Sequence, residues 1–273
     1  MKRVAWLTDV HLNFLEHVDR RQFAWSVAEA SPDAVLLGGD IGESPDVVEH
    51  LEGMADVVRR PICFVLGNHD FYRGSIAETR ERVSELAAGS EYLVYLADAD
   101  VVALSPATAL VGHDGWGDAR LGDYERSEVL LSDFFLIEEL KRWQRDPREL
   151  DRQRLRETLE ALGDEAAAHF ARVLPAALES HRHVIALTHV PPFREAAWYD
   201  GKPSDDDWLP FFSCRAVGDC FVEVMRDRPD RQLTVLCGHT HGSGEAQILE
   251  NLRVLTGGAR YRQPKIQQVF EVE

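Results

Sequence analysis

The sequence has few cysteines, no long apolar run and a shortage of basic residues, and each shortage excludes a class of protein. Its four cysteines show no C-x-x-C spacing, and Cys63 and Cys237 lie in apolar strand-like runs, where buried free thiols are typical. Free thiols fit a reducing compartment. Nowhere do about 18 apolar residues follow one another, and the N-terminus has no extended apolar segment. We therefore expect a cytoplasmic protein that does not enter the membrane.

The charge balance limits the partners. The chain has 30 basic and 47 acidic residues, a net charge of -17 at pH 7. This excess of negative charge disfavours unaided binding to nucleic acid or to an anionic membrane. If the substrate is an anion, the protein needs a local positive centre, and bound metal ions could supply it.

Apolar runs and helical patterns alternate along the first ninety residues. Strand-like runs occupy residues 4–7, 34–39 and 62–67, and amphipathic patterns occupy about residues 19–30, 45–58 and 75–88. Alternation of short buried strands with helices is typical of βαβ units and a mainly parallel sheet. The length of 273 residues allows one large α/β domain or two small ones.

The rest of the chain is more varied. Residues 92–112 form short strand-like runs that suggest an antiparallel portion, and helical patterns at 130–140 and 166–178 flank a polar connector at 141–158. Strand patterns return at 183–189, 233–239, 252–258 and 266–272. We predict a single domain over 1–273, with a helical insertion at about 122–180 and a lid-like loop at about 190–220.

Polar residues follow five of the strand-like runs directly. The runs end in Asp-x-His, Gly-Asp, Gly-Asn-His-Asp, His and Gly-His-x-His, which contribute Asp9, His11, Asp40, Asn68, His69, Asp70, His189, His239 and His241. Because ligands bind at the carboxyl ends of the strands in open α/β sheets, we expect these side chains to meet. Each motif alone is common, but their conjunction indicates a site.

The number and type of these donors indicate metal ions. Apart from His69 and Asp70 there are seven such side chains, too many for one ion that keeps an open position for substrate. Two ions that share Asp40 would receive four protein ligands each. Imidazole and carboxylate ligands without thiolate suit Mn, Fe, Zn, Co or Ni better than Ca or Mg. We expect Mn, Fe or Zn.

The order and spelling of the motifs resemble the calcineurin-like metallophosphoesterase family, from Asp9 to about residue 242. The resemblance implies an α/β fold with a central mixed β-sandwich flanked by helices, in α/β/β/α layers, whereas periodicity alone predicts a single open sheet. It also implies the ligands of each ion: Asp9, His11, Asp40 and His241 for one, and Asp40, Asn68, His189 and His239 for the other.

The family's chemistry gives the remaining residues a role. Two metal ions activate a bridging hydroxide for in-line attack on phosphorus. His69 is expected to protonate the leaving oxygen or to stabilise charge in the transition state, and Asp70 to orient the His69 ring. We therefore expect a phosphodiesterase with a small phosphoester substrate. A phosphomonoesterase or nucleotidase and a nuclease of the same family are the alternatives.

Three other functions fit the sequence less well. Protein phosphatases of the family carry Asp-Arg shortly after Gly-Asp and Glu after Gly-Asn-His, whereas this chain has "IGESPD" after Asp40 and Asp70 after His69. Amidohydrolases also bind two metal ions, but they have a barrel fold with His-x-His on the first strand, whereas His-x-His follows a late strand here. A metal-holding scaffold that binds a protein partner would tend to lose a ligand, and this chain keeps them all.

Two segments offer candidates for substrate contact. A glycine-rich loop carries His113, Trp116, Asp118 and Arg120, and the lid-like loop carries Arg194, Trp198, Tyr199, Lys202, Trp208 and Arg215. Cations and aromatic rings suit a phosphate and a base or other ring. The alternative is that the aromatic residues only pack these loops onto the domain.

Overall fold

The computed structural model describes residues 1–141, 144–146 and 149–273. The strands are β1 (Lys2–Leu7), β2 (Ala34–Gly38), β3 (Ile62–Val65), β4 (Leu93–Tyr95), β5 (Val102–Ala103), β6 (Thr108–His113), β7 (Gln144–Asp146), β8 (Glu149–Leu150), β9 (His183–Thr188), β10 (Trp198–Tyr199), β11 (Lys202–Pro203), β12 (Gln232–Cys237), β13 (Gly244–Leu249), β14 (Leu252–Thr256) and β15 (Gln268–Val272). The helices are α1 (His17–Glu29), α2 (Val47–Val58), α3 (Ile76–Gly89), α4 (Asp133–Leu136), α5 (Glu138–Lys141), α6 (Arg152–Ser180), α7 (Leu209–Phe212) and α8 (Arg215–Arg226).

The strands form two large sheets. The first has the order β15-β1-β2-β3-β4, in which β1 to β4 are parallel and β15 is antiparallel to β1 at the edge. The second has the order β13-β14-β12-β9-β6-β5, with antiparallel strands only at its two edges. Each sheet therefore has a parallel centre, and its strand ends point to one side.

Alternation of side chains along the strands builds the layers. In β1, Val4 and Trp6 belong to a buried cluster that also contains Ile185 and Leu187 of β9, so this cluster lies between the sheets. The alternate side chains of the first sheet pack with α1, α2 and α3, and those of the second sheet pack with α6 and α8. The predicted β-sandwich with outer helices is confirmed, and a single open sheet would have been wrong.

Two predicted segments differ from the structure. The antiparallel portion predicted at 92–112 is limited to β5 and β6, because β4 continues the first sheet parallel to β3. The helical pattern predicted at 130–140 forms two single turns, α4 and α5. Ile137 between them is extended and forms a bridge to Gly74, which ends the first turn.

The predicted insertion and loop both contain packed helices. Helix α6, the main element of residues 122–180, packs on β6 and α8 and so belongs to the outer layer. Helix α8 begins inside the predicted loop 190–220 and buries Val217, Phe221 and Met225, which recur at helical spacing. Residues 142–143 and 147–148 of the predicted polar connector lie outside the described residues.

Two expectations about composition can be checked on the structure. All four cysteines are free, and burial raises the pKa of the Cys63 and Cys237 thiols to about 12. Over the described part of the chain, we find no helix with both the length and the apolar character needed to cross a membrane.

Candidate metal centre

Strand ends from both sheets meet at one edge of the sandwich and bring the seven predicted ligands together. Asp9 and His11 follow β1, Asp40 follows β2 and Asn68 follows β3; His189 follows β9, and His239 and His241 follow β12. The five residues from Asp9 to His189 are each 7% exposed or less. Buried carboxylates and imidazoles need partners, because burial without them is costly.

The backbone is strained where these side chains leave the strands. Asp9, His11, Asp40, His239 and His241 all have positive φ angles, between 43° and 69°. Such a conformation costs about 1 kcal/mol or more for a residue other than glycine. Five of the seven predicted ligands adopt it, so the fold bears this cost to turn their side chains toward one point.

Two glycines leave room for the carboxylates. A methyl group at Gly67 would overlap the carboxylate of Asp40, and one at Gly238 would overlap the carboxylate of Asp9. Glycine at these positions is therefore a steric requirement of the site.

The first half of the site consists of Asp9, His11, Asp40 and His241, which we call the first half-site. One ligand atom from each residue lies within 4.8 Å of the others. His11 Nε2 is 3.1 Å from His241 Nε2 and 3.7 Å from Asp40 Oδ2, and His241 Nε2 is 3.6 Å from Asp9 Oδ1. Two imidazole nitrogens that face each other across this distance suit a shared cation.

The second half-site consists of Asp40, Asn68, His189 and His239. Asn68 Oδ1 is 2.9 Å from His239 Nδ1 and 3.2 Å from His189 Nε2, and His189 Nε2 is 3.3 Å from Asp40 Oδ1. The two oxygens of Asp40 therefore face different half-sites. Donors that bind one ion at about 2.1 Å lie about 3.0–3.4 Å apart, so the spacing in this half-site fits a metal ion.

The hydrogen bonds of the histidine rings explain why a cation fits here. His189 Nδ1 donates to the Gly38 carbonyl at 2.8 Å, and His239 Nε2 donates to the Phe211 carbonyl at 3.1 Å. In the neutral rings the other nitrogen carries a lone pair, and both lone pairs point at Asn68 Oδ1. With both rings neutral, three acceptors converge, and a cation bound between them would relieve their repulsion.

The electrostatics of the buried groups agree with this arrangement. Burial lowers the pKa of His11 and His239 to about 3, so these imidazoles are neutral and free to bind a metal. Burial alone would lower the pKa of His189, but Asp40 and Asp9 outweigh it and raise that pKa. The carboxylates thus favour a cation beside His189.

Comparison with known proteins places the chain in a family. The model of the calcineurin-like phosphoesterases matches residues 2–243, most of the chain. The chain belongs to the calcineurin-like phosphoesterase family. It is therefore a phosphoester hydrolase of a family that depends on dinuclear metal centres, and its fold excludes the barrel of the amidohydrolases.

Solved structures show the same fold at low sequence identity. The phosphopantetheinyl hydrolase of Mycobacterium tuberculosis is 14% identical with a TM-score of 0.63, over 93% of this chain and 89% of that one. A dimetal phosphatase from Danio rerio is 15% identical with a TM-score of 0.60, over 96% and 89%. No protein of curated function matches the sequence.

The phosphoesterase places His69 and Asp70 in different surroundings. Asp70 is fully buried; its Oδ1 accepts hydrogen bonds from the Ile41 and Gly42 amides, and its Oδ2 accepts one from the Gly67 amide, all at 2.8 Å. The prediction that Asp70 orients the His69 ring is wrong, because its oxygens bind the backbone of the loops after β2 and β3.

His69 lies next to the metal centre but is not one of its predicted ligands. Its Nε2 lies 3.9 Å from Asp40 Oδ2, and its ring stacks on Tyr72 with the ring centroids 4.3 Å apart. Its side chain is 17% exposed and lines the main cavity. The ring is thus oriented by Tyr72 and faces the space where a substrate would bind.

Four residues near the centre are not among the residues predicted from the sequence: Thr8, Tyr72, Asp133 and Tyr261. Asp133 Oδ1 in α4 accepts hydrogen bonds from Asn68 Nδ2 at 2.9 Å and from the Tyr72 hydroxyl at 2.7 Å. Thr8 Oγ1 donates to Asp9 Oδ2 at 2.6 Å, and the Tyr261 ring lies 4.7 Å from that of His11. Tyr261 follows β14, a sixth strand end that could have been recognised. No motif marks Asp133.

A cavity of about 560 Å³ opens beside the centre. Its aromatic wall contains Tyr72, Tyr199, Trp208, Phe212 and Tyr261. Among its lining residues, Lys202 is the only lysine or arginine, and three carboxylates accompany it, those of Asp133, Asp200 and Asp205, in addition to Asp40. Of the predicted substrate contacts, the cavity therefore includes Lys202, Tyr199 and Trp208.

The structure places the other predicted contacts away from this cavity. His113 is buried with its ring 5.2 Å from that of His169, and Trp116 packs on Phe71 in the core. The predicted arginine contacts are each held by carboxylates: Arg120 by Asp118 and Asp164, Arg194 by Asp206, and Arg215 by Asp219. Trp198 packs over the backbone of Gly242 and Gly244. Of the predicted cationic contacts, Lys202 therefore lines the main cavity, together with the predicted aromatic contacts Tyr199 and Trp208.

Proposed function

We propose that the protein is a phosphodiesterase for a small molecule and uses two metal ions of the Mn, Fe or Zn type. Asp9, His11 and His241 would hold one ion, and Asn68, His189 and His239 the other, with Asp40 shared. The observation that carries this proposal is Asp40 itself, whose two oxygens face opposite half-sites. No other carboxylate in the centre has this position.

The chain's own residues suit such a reaction. Two metal ions held by these ligands would polarise a phosphoryl group and lower the pKa of a bound water. His69 Nε2, beside Asp40 and open to the cavity, would donate a proton to the leaving oxygen. Asp70 holds the loops that carry Asp40 and Asn68 through its three backbone hydrogen bonds.

The charge of the cavity supports a diester over a monoester. A monoester is a dianion near neutral pH, whereas a diester carries a single negative charge. Outside the ligands, the cavity wall has three carboxylates and only Lys202 as a cation. Repulsion from these carboxylates disfavours the dianion more. The cavity volume of about 560 Å³ is in the range of small-molecule sites.

A comparison of two chromogenic substrates tests the proposal. After loading with Mn, Zn or Fe, we expect faster hydrolysis of bis(p-nitrophenyl) phosphate than of p-nitrophenyl phosphate. The reverse preference would make the protein a phosphomonoesterase. Cleavage of plasmid DNA at a higher kcat/KM than either ester would make it a nuclease. No turnover of any of them with two ions bound would contradict hydrolysis and favour a scaffold.

A further inference from the structure

The loop between β14 and β15 carries three cations that form no ion pair with a described residue. Arg260, Arg262 and Lys265 lie within six residues of one another, in a chain with a net charge of -17. Among the residues that the structure describes, no carboxylate forms an ion pair with any of the three. By contrast, Arg194 and Arg215 are both paired with a carboxylate.

This loop is attached to the metal centre. The Ala259 amide donates a hydrogen bond to the His241 carbonyl at 3.1 Å, and the Gln263 amide closes a turn on the Arg260 carbonyl at 3.0 Å. The Tyr261 ring lies 4.7 Å from that of His11 and 5.1 Å from that of His241. These contacts hold the backbone of Arg260 beside the first half-site.

Arg260 and Lys265 line a second space beside His241. A cavity of about 380 Å³ is bounded by His241, Ser243, Arg260, Gln263 and Lys265, and we call it the basic arm. A further cavity, with Tyr199, Asp200, Arg260 and Tyr261 in its wall, connects it to the main cavity. His241 of the first half-site thus lines both the main cavity and the basic arm.

We infer that Arg260 and Lys265 bind a second phosphate group of the substrate in the basic arm, next to His241 of the metal centre. This inference rests on the proposed phosphodiesterase function. The guanidinium of Arg260 can hold two phosphate oxygens at once, and Lys265, Ser243 and Gln263 add further donors. The described residues that line the basic arm include no carboxylate, and the wall of the connecting cavity contains one, that of Asp200. The substrate is therefore a diester with an aromatic or apolar group at one end and a phosphate at the other.

A matched pair of substrates isolates the second phosphate. Thymidine 5′-(p-nitrophenyl phosphate) and its 3′-phosphorylated form have the same scissile bond and release the same p-nitrophenol. We expect the wild-type protein to prefer the phosphorylated form by about tenfold or more in kcat/KM, which corresponds to about 1.4 kcal/mol. The preference should shrink as salt is added, because the arm is exposed.

Variants assign the preference to the arm. The double variant Arg260→Gln with Lys265→Gln should lower the ratio of the two kcat/KM values to about one. Arg262→Gln is the matched control, because Arg262 lies in the same loop but lines neither the basic arm nor the connecting cavity. It should keep the preference within about twofold.

Four outcomes are distinguishable. Equal rates for the two substrates in the wild-type protein overturn the inference and leave the proposed function intact. A double variant that keeps the preference, or a control variant that loses it equally, also overturns the assignment to Arg260 and Lys265. If neither substrate releases p-nitrophenol, the phosphodiesterase function itself fails.

Discussion

The two half-sites share Asp40 but are supported differently. In the second half-site, backbone carbonyls fix both histidine rings, and Asp133 holds the Asn68 amide. In the first half-site, His11 Nδ1 is buried and has no hydrogen-bond partner among the described residues. His241 is partly exposed, and its Nε2 faces only other groups of the same half-site.

This difference in hydrogen bonding should affect how tightly each half-site binds its metal ion. Hydrogen bonds to the second ring nitrogen fix the tautomer and orientation of a metal-binding histidine, and they raise affinity. Among the described residues, the second half-site has these supports and the first lacks them. Ligands of both half-sites line the main cavity, and His241 of the first also lines the basic arm. We therefore expect the second ion to be bound more tightly than the first.

Asp40 belongs to both half-sites, so its removal should affect the binding of both metal ions. In Asp40→Ala both half-sites lose a ligand, so we expect neither ion to bind and hydrolysis of bis(p-nitrophenyl) phosphate to fall to background. Metal analysis and the ester assay measure this. Asp219→Ala, which removes a surface carboxylate paired only with Arg215, is the control. Retention of both ions in Asp40→Ala would show that Asp40 is not shared.

Removal of one ligand from each half-site should separate the two ions. We expect Asn68→Ala to lose the second ion and His241→Ala to lose the first, each with a large loss of activity. Calorimetric titration with manganese should show one remaining ion in each variant. The ion left in His241→Ala should bind about 10–100-fold more tightly than the one left in Asn68→Ala. Equal affinities, or the reverse order, would contradict the difference in support.

His69 should act on the rate and not on the metals. We expect His69→Ala to keep both ions and to lower kcat by about 100-fold to 10,000-fold, the range for general acid catalysis. A leaving group as acidic as p-nitrophenol needs less protonation, so the loss should be larger with diphenyl phosphate, whose phenol is a poorer leaving group. An empty metal site in His69→Ala would mean that His69 is a ligand.

Asp133 should act on the second half-site through Asn68. In Asp133→Ala the Asn68 amide loses its acceptor, and we expect the second ion to bind about 10–100-fold more weakly while the first is unaffected. Asp133→Asn keeps an oxygen that can accept the same two hydrogen bonds, so its effect should be within a few-fold. If the two variants were equally impaired, the charge of Asp133 and not its orientation of Asn68 would be responsible.

Much of this centre could be predicted from the sequence, because each ligand follows an apolar run directly. A strand end fixes the position of the next two or three residues, so Asp9, Asp40 and Asn68 follow from the strands alone. Residues that reach the site from other elements could not be predicted in this way. Asp133 lies in a short helical turn with no motif, and its role depends on its contact with Asn68.

The substrate contacts and the role of Asp70 could not be predicted either, because they depend on pairing between residues that are distant in the sequence. The sequence shows the cations but not the carboxylates that neutralise them, so it predicts Arg194 as a substrate contact although Arg194 pairs with Asp206 in the structure. Asp70 follows His69 in the chain, yet its hydrogen bonds go to backbone amides, two of them almost thirty residues away. Long-range pairing decides which charges remain free for a ligand.

A manganese titration followed by electron paramagnetic resonance tests the central claim most directly. If Asp40 is shared, the protein should bind two ions per chain, and the spectrum at saturation should show two spin-coupled manganese ions. At low manganese, the isolated signal should come from the second half-site and disappear in Asn68→Ala. Saturation at one ion per chain, or two ions without coupling, would contradict a centre built on a shared carboxylate.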